Sequence, residues 1–150
     1  MLNKRSQQVE HHKGEISFPG GMKDPGDATL LDTALREAFE EMGILPSDVE
    51  ILGEVDDVPT NSRFLIRPFI GTIPYPYDFK PSSAEVAAVL EVPLFALMNR
   101  ANRRDEIRIK NGKLVNAPTF AYEGNLIYGA TARVLDNFLS LIETALEKEA

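Results

Sequence analysis

The chain has 150 residues, 43% hydrophobic and 26% charged, with 10 Gly and 10 Pro; this is the make-up of one soluble globular domain and is too apolar for a disordered chain. Cysteine is absent, which excludes a disulfide scaffold, a thiolate zinc site and a cysteine nucleophile, and no apolar run approaches the roughly 20 residues of a membrane span. Sixteen basic residues against 23 acidic ones leave a net charge of −7, which speaks against broad nucleic-acid binding but allows a small anionic substrate if bound cations or a basic pocket offset the field.

The first segment, MLNKRSQQVEHHKGE, holds no apolar stretch of the secretory kind, so a cytoplasmic address is expected. No repeat, low-complexity tract or linker divides the chain, and 1–150 is read as one domain. Met1 to Arg5 reads as the end of a strand and 6–14 as a polar loop. Ile16 to Phe18 is short and apolar, and Pro19-Gly20-Gly21 stops it with a turn. Residues 22–27 form a second turn. A helix is expected from Ala28 to Met42, with Asp27 as N-cap and Gly43 just past the end. Strands follow at 49–56, 64–73 and 85–92. Pro93 opens a short helix to Asn99. Arg103 to Tyr128 is β-rich, with turns at Asn111-Gly112 and Glu123-Gly124. A last helix spans 130–148, its apolar face formed by Val134, Phe138, Leu141, Ile142 and Ala145. Strands and helices mix without regular βαβ alternation, so the class expected is α+β, with a mixed sheet flanked by helices.

The chemistry concentrates on the helix DATLLDTALREAFEEMG. On a wheel of 3.6 residues per turn, Leu31, Leu35, Ala38 and Met42 form one stripe, flanked by Ala34 and Phe39. Glu37, Glu40 and Glu41 fall on the other side at i, i+3 and i+4, so their carboxylates can meet at one point. Like charges so placed repel, and the helix C-terminus also disfavours anions. A divalent cation such as Mg²⁺ or Mn²⁺ would relieve both costs. The alternative is a solvated acidic face partly paired with Arg36. Upstream, Phe18-Pro19-Gly20-Gly21 is a side-chain-poor turn through which backbone can approach a metal or phosphate closely.

These residues resemble a known family. GGMKDPGDATLLDTALREAFEEMGI is similar to the Nudix box, G-x5-E-x7-R-E-U-x-E-E-x-G-U, where U is a bulky aliphatic residue. Arg36, Glu37, Glu40, Glu41, Gly43 and Ile44 match it. Asp27 stands for the first glutamate, and the run from Gly21 to Arg36 is one residue longer than usual. That variation is familiar from the coenzyme A pyrophosphatase branch, which also carries L-L-T-x-R-S-x3-R-x3-G-x3-F-P-G-G upstream. Leu2, Arg5, Ser6, Gly14, Phe18, Pro19, Gly20 and Gly21 match in register, whereas Met1, Asn3 and Glu10 depart, Glu10 standing where the motif has Arg. EGNLIYGATARVL near the other end resembles a third stretch of the branch, with Tyr128 for its Trp.

The resemblance implies a Nudix-like α/β/α sandwich. Branch members carry another strand before the segment with which this chain opens, so that strand is expected to be missing here, and an open sheet edge would favour a homodimer. It implies metal-dependent hydrolysis of the pyrophosphate bond of CoA or acyl-CoA. Hydrolysis of another nucleoside diphosphate derivative such as ADP-ribose, or a non-catalytic nucleotide-binding module, stays open beside it. Glu37, Glu40 and Glu41 would hold Mg²⁺ or Mn²⁺, helped by a Gly20 or Gly21 carbonyl, and Glu37 could instead act as general base. Arg36 would orient these carboxylates with its planar fork. Arg5, Ser6, Lys13, Gly14 and Phe18 would contact the substrate, with Lys4, Arg5, Lys13 and Lys23 as counter-ions for its phosphates. Asp27 is read as a cap, with an outer-sphere metal role as the alternative. Glu85 is a candidate further catalytic carboxylate or a surface residue. His12 is a candidate substrate contact or part of a solvated loop. Phe120 and Tyr122 alternate on a strand and suit the core better than a base-stacking role.

Overall fold

A computed structural model describes residues 1–110 and 112–149. Asn111 of the expected turn therefore lies outside the described residues. The fold is α+β, with three α-helices and short antiparallel ladders among the described residues. The chain divides into two compact units. One comprises Met1–Glu54 with Phe69–Glu91, the other Val55–Pro68 with everything from Val92 onward.

In the first unit, strand β1 (Leu2–Arg5) lies between β2 (Ile16–Ser17) and β7 (Val86–Leu90), antiparallel to both. Its register sets Asn3 opposite Ser17 on one side and Val89 on the other. Helix α1 (Leu30–Met42) follows β2, and β3 (Glu50–Glu54) pairs with β6 (Phe69–Thr72) in a separate ladder. Because β2 and β3 belong to different ladders, α1 makes no crossover between parallel neighbours. All pairings among the described residues are antiparallel, in place of the mixed sheet expected.

Helix α1 begins two residues later than expected, and Asp27 is not its cap. The N-cap is Thr29, whose hydroxyl accepts from the Asp32 N–H while the Asp32 carboxylate accepts from the Thr29 N–H. This reciprocal box satisfies two otherwise orphaned donors and frees Asp27 for other partners. At the far end Gly43 adopts φ 72°, and the helix carbonyls of Glu41 and Met42 accept the N–H groups of Ser82 and Lys80, each at 2.9 Å. A Cβ on Gly43 would stand 3.0 Å from the Lys80 backbone nitrogen, so glycine is needed for both conformation and clearance. The helix end is thus tied to the segment leading into β7. Met42, Ile44 and Val86 form the core there, with Ala38, Val49, Ile73, Tyr77, Phe79 and Val89 packed around them. Phe39, a flank of the expected apolar stripe, is exposed instead.

In the second unit the expected strand at 64–73 is broken. Pro68 lacks a backbone donor, and the stretch divides into β5 (Leu65–Ile66), paired with β4 (Val58–Pro59), and β6 of the first unit. The Val55 N–H donates to the Pro68 carbonyl at 3.3 Å. Helix α2 (Leu94–Met98) has Pro93 as its N-cap. A sheet of β8 (Arg103–Lys110), β9 (Lys113–Tyr122) and β10 (Asn125–Ile127) packs against α3 (Gly129–Glu149). The buried face of α3 is Ala132, Val134, Leu135 and Leu139, while Leu141 and Ala145 of the expected face are exposed. From Glu143 on its described side chains are all exposed, so its last turns bury no stripe. Phe120 is fully buried and lies under the Arg103 guanidinium, 5.7 Å from its ring centre. No helix among the described residues is long and apolar enough to cross a membrane.

Candidate active site

Arg36, near the middle of α1, gathers the acidic residues around it. Its Nε donates to Asp27 Oδ1 at 3.1 Å and its Nη2 to Asp27 Oδ2 at 3.1 Å. Its Nη1 donates to Glu37 Oε1 and to Glu40 Oε2, each at 3.0 Å, and Nη2 also reaches the Met22 carbonyl at 3.2 Å. One planar fork therefore ties the turn before the helix to two glutamates on it. Asp27 also accepts from the Thr33 hydroxyl at 2.9 Å and from the Asp24 N–H at 2.9 Å. Hydrogen bonds from Arg36 hold the Asp27 carboxyl well below the usual carboxylate range.

The three glutamates of the helix have different surroundings. Glu40 is half exposed, Glu37 is mostly covered, and Glu41 is buried at 2% exposure. A uniformly solvated acidic face is therefore not what the helix presents. Burial pushes the Glu41 carboxyl up to about 7; the negative fields of Glu37 and Glu85 add to this, while Arg5 and a hydrogen bond from Asn3 oppose it. Glu37 is also raised, first by burial and then by Glu40 and Glu85, against the pull of Arg36. Glu37, Glu41 and Glu85 thus feel one another, with Arg5 as the cation nearest to Glu41 in effect.

The flanking strand and loops place the rest. Arg5 ends β1, its N–H donating to the Glu15 carbonyl at 2.9 Å, and its Nε is buried with no hydrogen-bond partner among the described residues. The buried Ser6 donates its N–H to the Glu85 carbonyl at 2.7 Å, which fixes the loop carrying Glu85 beside the end of β1. Gly14, at φ 71°, donates to the Arg5 carbonyl at 3.1 Å. Gly21 lies against the Glu37 carboxylate. Gly20 is exposed and Phe18 half-buried.

Other residues singled out in the sequence face elsewhere. His12 is exposed and pairs with Glu15, 3.0 Å from Nδ1 to Oε2. Lys13 is exposed, and Lys23 donates to the Ala28 carbonyl at 3.1 Å. The residues that sequence reading passed over are Asn3 and Ser17. Asn3 is 1% exposed and its Nδ2 donates to Glu41 Oε2 at 2.6 Å. Ser17 Oγ donates to Asn3 Oδ1 at 2.6 Å. The signal available was an amide inside an otherwise apolar strand start, Met1-Leu2-Asn3, where a buried polar group must find partners.

The donor set suits a hard divalent cation, because it consists of carboxylate oxygens, one of them buried and destabilised as an anion. Among the described residues no three acidic or histidine side chains are already gathered as a metal cage. Glu37 and Glu40 are held by Arg36 instead. The residues fit the ion by chemistry, with a guanidinium standing against two of the carboxylates that would take it.

The chain is thus an α+β protein with a Gly-rich turn leading to an acidic helix and a buried glutamate on that helix. The family model of the NUDIX domain matches residues 1–109. Over 136 residues the chain is 35% identical to the uncharacterized Nudix hydrolase NudL of Yersinia enterocolitica, covering 90% of this chain and 69% of that protein. It is 30% identical over 143 residues to a Photorhabdus laumondii protein of the same description, covering 95% and 76%. The chain belongs to the Nudix hydrolase family. Enzymes of this family generally use divalent ions such as Mg²⁺ or Mn²⁺ and act on small nucleotide substrates.

Proposed function

We propose that this Nudix hydrolase cleaves the pyrophosphate bond of CoA or acyl-CoA, releasing 3′,5′-ADP and 4′-phosphopantetheine or its acyl form. The observation that carries this reading is the meeting of opposite charges at one place. Glu37, Glu41 and Glu85 share a field, and beside Glu41 stands Arg5, whose buried Nε lacks a partner. Carboxylates call for a cation, and an unpaired guanidinium donor calls for an oxyanion. A pyrophosphate taken up with a divalent cation would supply both. The register of Arg5, Ser6, Gly14 and Phe18-Pro19-Gly20-Gly21 supports the CoA branch over others.

In the mechanism, Glu37, Glu40 and Glu41 are the residues that would hold the metal. Bound Mg²⁺ or Mn²⁺ supplies charge neutralisation and Lewis acidity. Arg36 keeps Glu37 and Glu40 in reach, donating to both through Nη1. Arg5 donates to a phosphate oxygen. Glu85, whose backbone is pinned by Ser6, takes the proton of the attacking water, with Glu37 as the other base in reach of the same field. Water adds to one phosphorus and the bridging P–O bond breaks.

A second reading is hydrolysis of another nucleoside diphosphate derivative. Glu10 favours it: this exposed carboxylate, 3.9 Å from His11, stands where the CoA branch has Arg. Incubation with CoA or ADP-ribose, with Mg²⁺ or Mn²⁺ and with a metal-free control, tests both by mass spectrometry of products. Metal-dependent 3′,5′-ADP from CoA, well above turnover of ADP-ribose, is the expected result. Turnover of ADP-ribose alone would replace the CoA assignment with the second reading, and inertness to both would overturn the two together.

A further inference from the structure

We propose that Asn3 is a positioning residue for Glu41, and that Ser17 supports the orientation in which Asn3 does this. The inference rests on the reading of Glu41 as a metal ligand. Glu41 is the most buried of the three helix glutamates and cannot rely on water to orient it. Its Oε2 accepts from Asn3 Nδ2 at 2.6 Å across 38 residues of sequence. With Oε2 engaged in this way, Oε1 is the oxygen offered for ligation.

The chemistry of the partners fixes which way the amide points. An amide has an acceptor end and a donor end, and a carboxylate that ligates a metal is ionised and only accepts. The NH₂ end must therefore face Glu41, and the carbonyl end must face a donor. Ser17 is that donor, its hydroxyl lying 2.6 Å from Asn3 Oδ1. The strand register makes the relay local, because Asn3 and Ser17 are directly opposed in the β1–β2 ladder. Asn3 sits on the central strand at 1% exposure, so no solvent competes for either end. The three groups form a chain, Ser17 to Asn3 to Glu41, in which each link fixes the next. Substrate contact is not involved, which separates this role from those of Arg5 and Glu85.

The test measures Mn²⁺ binding by electron paramagnetic resonance, without substrate, alongside steady-state kinetics and thermal melts in EDTA. The variants are Asn3→Leu, Ser17→Ala and the double variant. Expected for Asn3→Leu is a loss of Mn²⁺ affinity of about tenfold and a matching fall in kcat, with KM for nucleotide within about twofold of the parent. Ser17→Ala should lose about two- to fivefold by letting the amide turn. In the Asn3→Leu background Ser17→Ala should cost nothing more, because its route to the metal through Asn3 is gone. Full additivity in the double variant, or unchanged Mn²⁺ affinity in the single variants, would overturn the proposal. If Asn3→Leu does not fold, Ser17→Ala alone decides, since it deletes one oxygen and leaves the amide in place. Absence of Mn²⁺ binding by the parent protein would overturn it as well. Mn²⁺ binding without cleavage of CoA would remove only the substrate assignment, and the affinities of the variants would still be read.

Discussion

Gly21 and Glu37 are packed so closely that a side chain at position 21 would collide with the carboxylate: an added Cβ would stand 2.6 Å from Glu37 Cδ. The glycine is needed there for clearance, since its φ is not in the left-handed region. The obstructed group is the far end of a flexible side chain, so relief is cheap for the fold and costly for the site. Gly21→Ala should therefore leave Tm nearly unchanged while lowering kcat by about tenfold or more, through displacement of Glu37. Gly26, whose added Cβ would meet nothing within 4 Å, is the control: Gly26→Ala should retain activity. Equal losses for the two variants would show that the contact with Glu37 is immaterial.

Arg36 stands among four carboxyl groups, Asp24 at 3.7 Å, Asp27 at 3.1 Å, and Glu37 and Glu40 at 3.0 Å. Five donors in a plane serve this arrangement, and a lysine ammonium cannot reproduce it. Arg36→Lys should lower kcat by roughly tenfold or more and reduce Tm in metal-free buffer. Added Mn²⁺ should recover a larger share of Tm in the variant than in the parent, because a second cation then offsets the released carboxylates. Scanning calorimetry with and without Mn²⁺ checks this, and an identical metal response in both proteins would count against Arg36 as the cation of the cluster.

The buried Glu41 carboxyl, raised to about 7 from an ordinary 4.5, makes stability depend on pH in a definite direction. A carboxyl whose folded value exceeds its unfolded value favours folding most when protonated. Its contribution is full below about pH 4.5 and is lost as pH rises through about 7. Between pH 5 and pH 8 the metal-free protein should lose up to about 3 kcal/mol from this group. Glu41→Gln should flatten that slope, fold normally and be inactive, since the amide keeps an acceptor for Asn3 but carries no charge for a metal. Urea unfolding across pH in EDTA is the measurement. A parent protein no less stable at pH 8 than at pH 5, with a variant of equal slope, would contradict the assignment.

Much of this site was written in local spacing. The i, i+3, i+4 placement of Glu37, Glu40 and Glu41, and Arg36 four residues before Glu40, depend only on helix geometry. Arg36 accordingly contacts Glu37 and Glu40 in the structure. Asp27 reads as the cap in the sequence because Asp and Thr both cap helices and the chain offers both within three residues. The Thr29–Asp32 pair won because it satisfies two donors where Asp27 would satisfy one. The unequal burial of the glutamates could not be read from the helix alone. It follows from β1 and the 80–82 segment, which reach α1 from 38 or more residues away in sequence. Asn3 and Ser17 are not legible as site residues for the same reason, since the partner they serve lies on a different element. In the second unit, the break at Pro68 followed from a missing donor that the apolar run at 64–73 concealed.

Glu85 offers the sharpest separation between binding and chemistry. It precedes β7 directly, its carbonyl accepts from Ser6 and its N–H donates to the Ser82 carbonyl at 3.0 Å, so its backbone is held on both sides. Ser82 in turn donates to the Glu41 carbonyl at the end of α1, linking the loop to the helix that carries the other carboxylates. The side chain is exposed yet adds to the fields on both Glu37 and Glu41. A carboxylate in that position can take a proton from water without first being stripped from a buried partner. Glu85→Gln keeps the shape and removes the base. With the substrate of this hydrolase in hand, the variant should lose about 100-fold or more in kcat, keep KM within about threefold, and bind Mn²⁺ as the parent does. Raising pH should then restore part of the lost rate, because hydroxide replaces the missing base. If Glu85→Gln instead weakens Mn²⁺ binding and leaves the metal-saturated rate intact, Glu85 belongs with the ligands, and Glu37 is left as the base.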